Sequence, residues 1–362
     1  MDKELIALFA LVRAGLWGRY DEAMASAFPL SAESWERVFL LARRQTVTGI
    51  AFRGLGYLPD DMAPPMGLMA KWMAHADRIE QSNLAVNEAL AKICRQLKDS
   101  GDKVVLQKGP GVAIMYPEPL LRECGDIDLF FPENDASSDP LKDIPGTTKE
   151  RKPDGSWEYN VDGVTVEVHS HLVDILSPGA ARYVRQLISE KGYDIVSIGG
   201  CEVLVSAPEV NLLLLSSHIL KHALGVGIGL RQFCDMAVAY RYYADRINPL
   251  EMIEIYRNTG LDRWEAVLED FLSEYLAVVI KLPSSEKKRK NCSKKSSVLL
   301  DIILKGGNFG HFTEKRETAS RSVVLRKWHT FTSFIGNMRF AMTYAPREWF
   351  WTMMQLIGGQ MR

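Results

Sequence analysis

The chain has 362 residues, of which 47% are hydrophobic and 25% are charged, and its formal net charge is −1. This length allows two or three packed units, and the near-zero charge excludes a global field that would attract nucleic acid or an anionic membrane. The five cysteines are scattered and lack C-x-x-C spacing, which excludes a disulfide framework and a structural zinc site of that type.

Two features of the sequence bear on its location. No uncharged apolar run approaches the ~18 residues that a membrane span requires. The start of the chain, Met1-Asp2-Lys3-Glu4, lacks the basic segment and apolar block of a signal peptide. We therefore expect a cytoplasmic protein without a membrane span.

Residues 1–100 are predicted to form an N-terminal helical region. Apolar side chains recur at helical intervals in residues 5–9 and 35–41. The clearest helix covers about residues 81–98, where the stripe ends before Gly101 and consists of Val86, Leu90, Ile93 and Leu97.

The region 101–206 alternates predicted strands with loops and contains a glycine-rich turn. Residues 104–107 indicate a strand, which Lys108-Gly109-Pro110-Gly111 follows. Glycine permits close approach of the backbone to a ligand, and N–H groups at the start of a following helix bind phosphates. The pattern fits a triphosphate loop or an ordinary strand-to-helix turn.

Asp126-Ile127-Asp128 precedes the apolar residues 129–131, which indicates a short strand. Side chains alternate between the faces of a strand, so Asp126 and Asp128 project to one side and Ile127 to the other. Two neighbouring carboxylates repel each other unless a cation neutralises them, and their oxygens suit Mg²⁺. The pair predicts a metal site on a half-exposed face.

Two β-rich runs flank Asp162-Gly163, which is a strong hairpin signal. In the second run, Val164, Val166 and Val168 share one face, and the opposite face carries Thr165, Glu167, His169 and His171. Glu167 is predicted to join the two aspartates at the metal site. The alternative is that Glu167 lies on the solvated side of a half-buried sheet.

Residues 207–283 are predicted to form a helical domain that closes a cleft over the predicted metal site. It opens with a capping box at residues 206–209, and helices over about 208–224 and 229–245 follow. His218 and His222 share a helical face with Lys221 nearby, and this face is expected to contact the nucleotide; ordinary partly buried histidines are the alternative. Arg231 and Asp235 are also four residues apart, which fits a modest helix ion pair.

The remaining sequence divides into a basic linker over 284–298 and a C-terminal helical tail over 299–362. The linker has lysines and arginines without interleaved aromatic residues, which favours a solvated connection over RNA binding. The tail is rich in aromatic residues that we expect to pack on the protein's own body, with a partner or membrane surface as the second interpretation. These residues are Trp328, Phe331, Phe334, Phe340, Trp349, Phe350 and Trp351.

In combination, these motifs resemble the DNA polymerase β-like nucleotidyltransferase superfamily. The similarity covers about residues 85–245 and is closer to its bacterial "uncharacterised nucleotidyltransferase" family, through the segments 106–109, 116–117, 121–122, 126–129 and 167–169, together with His218, His222, Arg231 and Asp235. The resemblance implies an α+β fold, in which a polymerase β-like core with a small mixed sheet is flanked by N-terminal and C-terminal helical regions. One departure is the turn, because most of the superfamily has Gly-Gly or Gly-Ser where this chain has Lys108-Gly109-Pro110-Gly111.

The resemblance implies a Mg²⁺-dependent nucleotidyltransferase. Asp126, Asp128 and Glu167 would hold one or two Mg²⁺ ions, with Glu167 as a ligand or as the general base. The nucleoside triphosphate would contact Lys108, Gly109, Arg122, His218, Lys221, His222, Arg231 and Asp235. A hydroxyl of the acceptor would attack the α-phosphorus, and pyrophosphate would leave.

The acceptor is left open between a small molecule, a sugar and a protein side chain, and a nucleic acid is less favoured because of the neutral charge. Asp128→Asn is expected to preserve the fold and abolish turnover. Two other classes of function remain. One is a nucleotide-binding regulatory module without turnover, which the unusual turn favours. The other is an interaction protein whose two aspartates are merely part of its surface.

Overall fold

The computed structural model describes residues 2–20, 22–100, 103–132, 141, 144, 147–152, 156–225, 227–280, 293–306 and 338–358. Within them the chain divides into two compact units. The first comprises Met1–Arg43, Val47–Leu172 and Lys191–Ala207, and the second comprises Arg44–Thr46, Val173–Glu190 and Pro208–Arg362. Each unit is described separately below.

The first unit begins with four helices, as the sequence predicts for this region. They are α1 (Lys3–Trp17), α2 (Ala32–Arg44, whose last residue falls in the second unit), α3 (Thr48–Leu55) and α4 (Met66–Ser100). Helix α4 is longer than the helix predicted over about 81–98, and it begins at Met66. Leu68, Trp72 and Ala76 are buried at four-residue spacing in the early part of α4, but the buried polar Asn83 interrupts the apolar pattern before Val86.

A seven-stranded mixed sheet forms the rest of the first unit. Its strands are β1 (Val105–Leu106), β2 (Asp126–Phe130), β3 (Thr148–Arg151), β4 (Trp157–Val161), β5 (Val164–His169), β6 (Tyr193–Ile198) and β7 (Cys201–Ser206). Their order across the sheet is β3-β4-β5-β2-β1-β7-β6. Strands β2 and β5 are parallel, as are β1 and β7, and the other neighbours are antiparallel. The fold is therefore α+β, as expected.

The core of this unit lies between helix α4 and one face of the sheet. The predicted stripe of α4, from Val86 to Leu97, belongs to this core. Ile127 and Leu129 of β2 enter the same core, together with Val164, Val166 and Val168 of β5. Because side chains alternate along a strand, burying these residues turns Asp128, Glu167 and His169 to the opposite face.

The turn between β4 and β5 confirms the predicted hairpin. Asp162 and Gly163 both have positive φ, at 53° and 86°, as a two-residue type I′ turn requires. The side chain of Asn160 accepts a hydrogen bond from the amide of Gly163 at 3.0 Å. This turn determines which residues of β5 oppose β4, and so which side chains share the polar face.

The second unit is helical in the part of the chain that the structure describes. Its helices are α6 (Pro178–Lys191, whose last residue falls in the first unit), α7 (Pro208–Leu224), α8 (Leu230–Tyr242), α9 (Pro249–Thr259), α10 (Asp262–Leu276), α11 (Ser293–Gly306), α12 (Met338–Tyr344) and α13 (Pro346–Gly358). Helix α5 (Pro110–Ala113) is a single turn in the first unit. Helices α7 and α8 lie where the sequence predicts them.

The start of α7 differs from the predicted capping box. Ser206 is the last residue of β7, and its buried hydroxyl makes no hydrogen bond with the described residues. Helix α7 begins two residues later, at Pro208. A capping residue needs a place directly before the helix, and the strand takes Ser206 away from that place.

The linker and the tail are described in part. Residues 284–292 lie outside the described residues, whereas residues 293–298 belong to α11. In the tail, Phe340 is buried and its ring lies 6.1 Å from that of Trp264 in α10. Phe340 therefore packs on the protein's own body, as expected. Trp328, Phe331 and Phe334 lie outside the described residues.

Among the described residues, no helix combines the length needed to cross a bilayer with sufficient apolar character.

Candidate functional site

A row of acidic side chains crosses four neighbouring strands on the polar face of the sheet. Glu150 of β3 is in register with Glu158 of β4, and Glu158 with Glu167 of β5. Glu167 is in turn in register with Asp128 of β2. Partners in register point to the same face and lie about 5 Å apart, so like charges there destabilise the sheet unless cations neutralise them. The sheet thus concentrates negative charge in one line.

Asp128 is the most buried member of this row, with 4% of its surface exposed. Its Oδ1 lies 2.6 Å from Nε2 of His169 and 3.2 Å from Nζ of Lys108. Because an ionised carboxylate can only accept, Nε2 of His169 donates in this pair. An aspartate held in this way is not a surface decoration, which argues against the interaction-protein alternative.

The electrostatics of Asp128 follow from these contacts. Burial alone would raise the pKa of the carboxyl, since it penalises the charged form. The charge of Lys108 and the hydrogen bond from His169 outweigh burial and hold the pKa of Asp128 well below its ordinary value. The side chain is therefore an anion at neutral pH, and Lys108 is its cationic partner.

Glu167 and Glu158 share a different cation. Nζ of Lys152 lies 2.5 Å from Oε1 of Glu167 and 2.7 Å from Oε2 of Glu158. Burial would lower the pKa of Lys152, but the hydrogen bonds to both glutamates raise it above its ordinary value. The ammonium group of Lys152 thus occupies the space between two carboxylates of the row.

Three side chains could hold a metal ion together. One ligand atom each from Asp128, Glu167 and His169 lies within 4.8 Å of the other two. Strand β5 brings in both Glu167 and His169, which are two residues apart and so share a face, and the parallel register with β2 adds Asp128. The carboxylates are ligands that Mg²⁺ accepts, whereas the imidazole nitrogen suits Mg²⁺ less well.

The glycine turn places Lys108 beside this group. Gly109 has a φ of 58°, and a Cβ there would lie 2.9 Å from the carbonyl oxygen of Asp126. Only glycine permits this approach of the turn to β2. Pro110 has no N–H, and the amide of Gly111 donates to the carbonyl of Lys108 at 3.1 Å. The start of α5 thus has few free amides for a phosphate.

Two other predicted site residues, Asp126 and Arg122, are near neighbours of Asp128 in the sequence. Asp126 is the partly buried first residue of β2, in register with Thr165, and it is outside the group of three potential ligands. Arg122 is buried at the end of a short 3₁₀ turn, with Nη1 lying 3.2 Å from Sγ of Cys124. The structure thus brings together Asp128, Glu167 and Lys108 from the predicted set.

The other predicted nucleotide contacts belong to the second unit. On α7, the rings of His218 and His222 lie 4.5 Å apart, so the shared face is observed. Lys221 forms an exposed ion pair with Asp174 at 3.0 Å. On α8, Arg231 is partly buried and Asp235 is buried. The roles of these five residues in nucleotide binding remain predictions.

Two residues of the site are absent from the predicted ligand set. Alternation along the strand correctly predicts the face on which His169 lies, but the predicted ligand set contains only carboxylates. Lys152 follows an exposed edge strand, and nothing in its local sequence indicates a contact with Glu158 and Glu167. The sequence signal for His169 is its position two residues after Glu167, which puts both side chains on one face of the strand. The contacts of Lys152 can be recognised only from the strand register.

Comparisons with known proteins identify the family of the chain. A search of curated proteins finds no match. Among solved structures, the crystal structure of an antigenic nucleotidyltransferase-like protein from Paracoccidioides brasiliensis is similar at 14% identity and a TM-score of 0.32, covering 57% of this chain and 95% of that chain. The family described as "Uncharacterised nucleotidyltransferase" matches residues 31–269, a span that includes both β2 and β5. The chain belongs to this family of nucleotidyltransferases.

Proposed function

We propose that this protein is a divalent-cation-dependent nucleotidyltransferase. It would transfer a nucleoside monophosphate from a triphosphate to a hydroxyl group of an acceptor, and pyrophosphate would leave. The observation that carries the proposal is the convergence of Asp128, Glu167 and His169 within 4.8 Å on one face of the sheet. Family membership supplies the class of reaction.

The carboxylates of Asp128 and Glu167 would hold the cation, with Asp126 as the further ligand that the resemblance implies. A bound cation would neutralise charge on the triphosphate and orient it for in-line displacement. The resemblance implies Mg²⁺ in this role. Neither carboxylate is free at present, since Lys108 contacts Asp128 and Lys152 contacts Glu167.

The two lysines have a natural second role in this reaction. When a cation takes over the carboxylates, the ammonium groups of Lys108 and Lys152 become available to a triphosphate. Positive groups that face developing negative charge stabilise the transition state of phosphoryl transfer. Lys108 stands in the turn after β1, which departs from the Gly-Gly or Gly-Ser turn of most of the superfamily, and its ammonium group would contact the triphosphate there.

Glu167 has two alternative roles in this proposal, as a ligand of the cation or as the base that takes the proton of the acceptor hydroxyl. Its carboxylate is partly exposed and lies beside Asp128, so an acceptor hydroxyl could approach it from solvent. A carboxylate within hydrogen-bonding distance of the attacking oxygen can take its proton. Contacts of the nucleotide with Gly109, Arg122, His218, Lys221, His222, Arg231 and Asp235 are carried forward as the resemblance implies them.

One observation favours a second candidate, a nucleotide-binding protein without turnover. The phosphate turn lacks the N–H of Pro110, and the amides of Gly111, Val112 and Ala113 are already donated to backbone carbonyls. Such a turn offers weaker support to a triphosphate than a glycine-serine turn would. The two candidates differ in one measurable product, which is pyrophosphate.

The test measures binding and pyrophosphate release separately. Purified full-length protein is titrated with each nucleoside triphosphate in the presence and absence of divalent cation, and pyrophosphate is then measured with a panel of hydroxyl-bearing acceptors. Cation-dependent binding followed by pyrophosphate release supports the transferase. Binding without release across the panel supports the second candidate. If no triphosphate binds, both candidates are wrong.

A further inference from the structure

The potential ligand set contains a nitrogen atom where the resemblance implies only oxygen atoms. His169 contributes Nε2, which lies 2.6 Å from Oδ1 of Asp128 and 3.8 Å from Oε2 of Glu167. Both distances are short enough for one ion to contact all three side chains, once Nε2 of His169 has lost the proton that it donates to Asp128, either to solvent or by a shift of the neutral ring's proton to Nδ1. Asp126, the oxygen donor expected from the D-x-D pattern, is outside the group.

The position of His169 follows from the architecture of the sheet. It is two residues beyond Glu167 on β5, and its register partner on the parallel strand β2 is Phe130. The backbone therefore holds the imidazole on the same face as the two carboxylates. From the end of β5, the imidazole is directed at Asp128.

Ligand chemistry distinguishes among divalent ions at such a site. Mg²⁺ is a hard ion that prefers six oxygen ligands and gives up its water reluctantly. First-row transition-metal ions accept imidazole nitrogen together with carboxylate oxygen, and their affinities generally exceed that of Mg²⁺ at mixed sites. One nitrogen and two carboxylate oxygens thus favour the transition-metal class.

The lysines lower the affinity of the site for every divalent ion. Any entering ion must displace Nζ of Lys108 from Asp128 and Nζ of Lys152 from Glu167. Both competing groups are cations that contact oxygen atoms only, so they weaken the oxygen-based affinity of every divalent ion alike. An ion that also gains a bond to nitrogen recovers part of this loss, whereas Mg²⁺ gains little from nitrogen.

We propose that Asp128, Glu167 and His169 form a site that prefers a divalent transition-metal ion, of which Mn²⁺ is the probe, over Mg²⁺. The inference rests on the proposed function for the location of the cation and adds the identity of the ion and a ligand role for His169. Mg²⁺ would still bind through the two carboxylates, but more weakly.

The experiment measures metal binding without nucleotide. Full-length protein freed of metal with a chelator is titrated calorimetrically with MnCl₂ and with MgCl₂. The variants are His169→Asn, and His171→Asn as a matched control. His171 is an exposed neighbour whose carbonyl oxygen, which the substitution retains, accepts the hydrogen bond from Gln107. Pulsed electron paramagnetic resonance of bound Mn²⁺ detects a coordinated ¹⁴N nucleus directly.

The expected result is that the wild-type protein binds Mn²⁺ at least ~10-fold more tightly than Mg²⁺, as the order of ligand preferences suggests. His169→Asn should lose this preference and the ¹⁴N coupling, while its affinity for Mg²⁺ changes little. His171→Asn should behave like the wild type. A purely structural role for His169 would alter stability but would leave the ¹⁴N signal absent from every protein.

Other outcomes overturn the proposal. Equal affinity for both ions, or Mn²⁺ binding without ¹⁴N coupling, shows that His169 is not a ligand. A parallel titration of triphosphate with MgCl₂ separates this failure from that of the proposed function. If triphosphate binds with Mg²⁺ and no Mn²⁺ preference is found, the metal inference alone is wrong. If Mn²⁺ binds through nitrogen but triphosphate does not bind, the proposed function is wrong instead.

Discussion

At the scale of single residues, the site consists of anions that are already neutralised by the chain's own cations. Lys108 and His169 contact Asp128, and Lys152 bridges Glu158 and Glu167. These contacts relieve the repulsion along the acidic row, and a divalent ion must compete with them. The affinity of the site for metal is therefore set by the lysines as well as by the ligands.

Lys152→Met is expected to strengthen metal binding. The substitution keeps most of the side chain's length but removes the ammonium group that competes for Glu167. Mn²⁺ or Mg²⁺ should therefore bind up to about 10-fold more tightly, which corresponds to ~1.4 kcal/mol of binding free energy. Isothermal titration calorimetry checks the change. Lys149→Met, on the exposed strand β3, is the control and should leave the affinity unaltered. A weaker affinity in Lys152→Met would show that Lys152 supports the site instead.

Asp128→Asn is expected to abolish metal binding and also to lower stability. The sequence alone favours an intact fold, but the structure shows a buried carboxylate whose partner Lys108 has a side chain only 14% exposed. Removing one charge of a buried pair leaves the other unpaired, which costs on the order of 3 kcal/mol. Urea denaturation measures this loss.

The double variant Lys108→Met/Asp128→Asn tests the cause of that loss. If the unpaired ammonium group causes the destabilisation, removing it should restore a large part of the unfolding free energy. Equal stability of the single and double variants would instead assign the cost to the changed hydrogen bond with His169. Metal binding should be absent from both variants.

The difference between predicted and observed site residues has a simple physical basis. Alternation along a strand is a local property, so the sequence could predict that Glu167 and His169 share a face. Which strands neighbour each other is a non-local property, and only the parallel register of β2 and β5 brings Asp128 beside Glu167. Lys152 depends on a third strand, and no spacing along the chain indicates its contacts.

At the scale of elements, the β4–β5 hairpin controls the register on which the acidic row depends. Gly163 occupies the second turn position with a φ of 86°, and no atom lies within 4 Å of a Cβ built there. A side chain at this position would thus meet backbone strain and no steric clash. The strain of a non-glycine residue in this conformation is about 1–2 kcal/mol.

Gly163→Ala is accordingly expected to reduce the unfolding free energy by about 1 kcal/mol, near the lower end of that range. Chemical denaturation measures the change, and Gly179→Ala is the control. Gly179 also has open space around its Cα, but it lies in α6 and its φ is not positive, so alanine should be neutral or slightly stabilising there. Equal effects of the two substitutions would contradict the assignment of strain to the turn.

The elements that the sequence predicted well are those with strong local signals. The Asp162-Gly163 turn and helix α7 with its apolar composition are examples. The capping box failed because Ser206 has two competing roles, and pairing with β6 kept it in strand β7. The length of α4 was underestimated because the polar Asn83 interrupts its apolar pattern, and tertiary packing decides such segments.

At the scale of the whole molecule, the two units respond to pH for different reasons. In the first unit, the pKa of Asp128 is lowered from its ordinary 3.8, so its contribution to stability is present above about pH 4 and is lost as the pH falls below that value. The second unit has a buried carboxylate that accepts hydrogen bonds from hydroxyl groups. This is Glu265, which is 2% exposed and accepts hydrogen bonds from Ser216 and Tyr240.

Burial raises the pKa of Glu265 from 4.5 to about 7, although hydrogen bonds from Tyr240 and Ser216 favour the charged form. The folded state therefore keeps a proton that the unfolded chain releases near pH 4.5. The resulting stability is fully present below pH 4.5, decreases as the pH rises, and is lost above about pH 7. The total change amounts to about 3 kcal/mol of unfolding free energy.

Glu265→Gln should remove this dependence, because an amide keeps the shape of the side chain but does not titrate. Hydrogen exchange of α10 at pH 5 and at pH 8 measures the stability of the second unit in the intact chain. The wild-type helix should be less protected at pH 8, after correction for the intrinsic exchange rate, whereas the Glu265→Gln helix should have similar protection at both values. Glu254→Gln, at an exposed position of α9, controls for the loss of one charge. If the wild type and Glu265→Gln show the same pH dependence, Glu265 is ionised in the folded protein. Water or a charged group beside α7, α8 and α10 must then offset the cost of burying its charge.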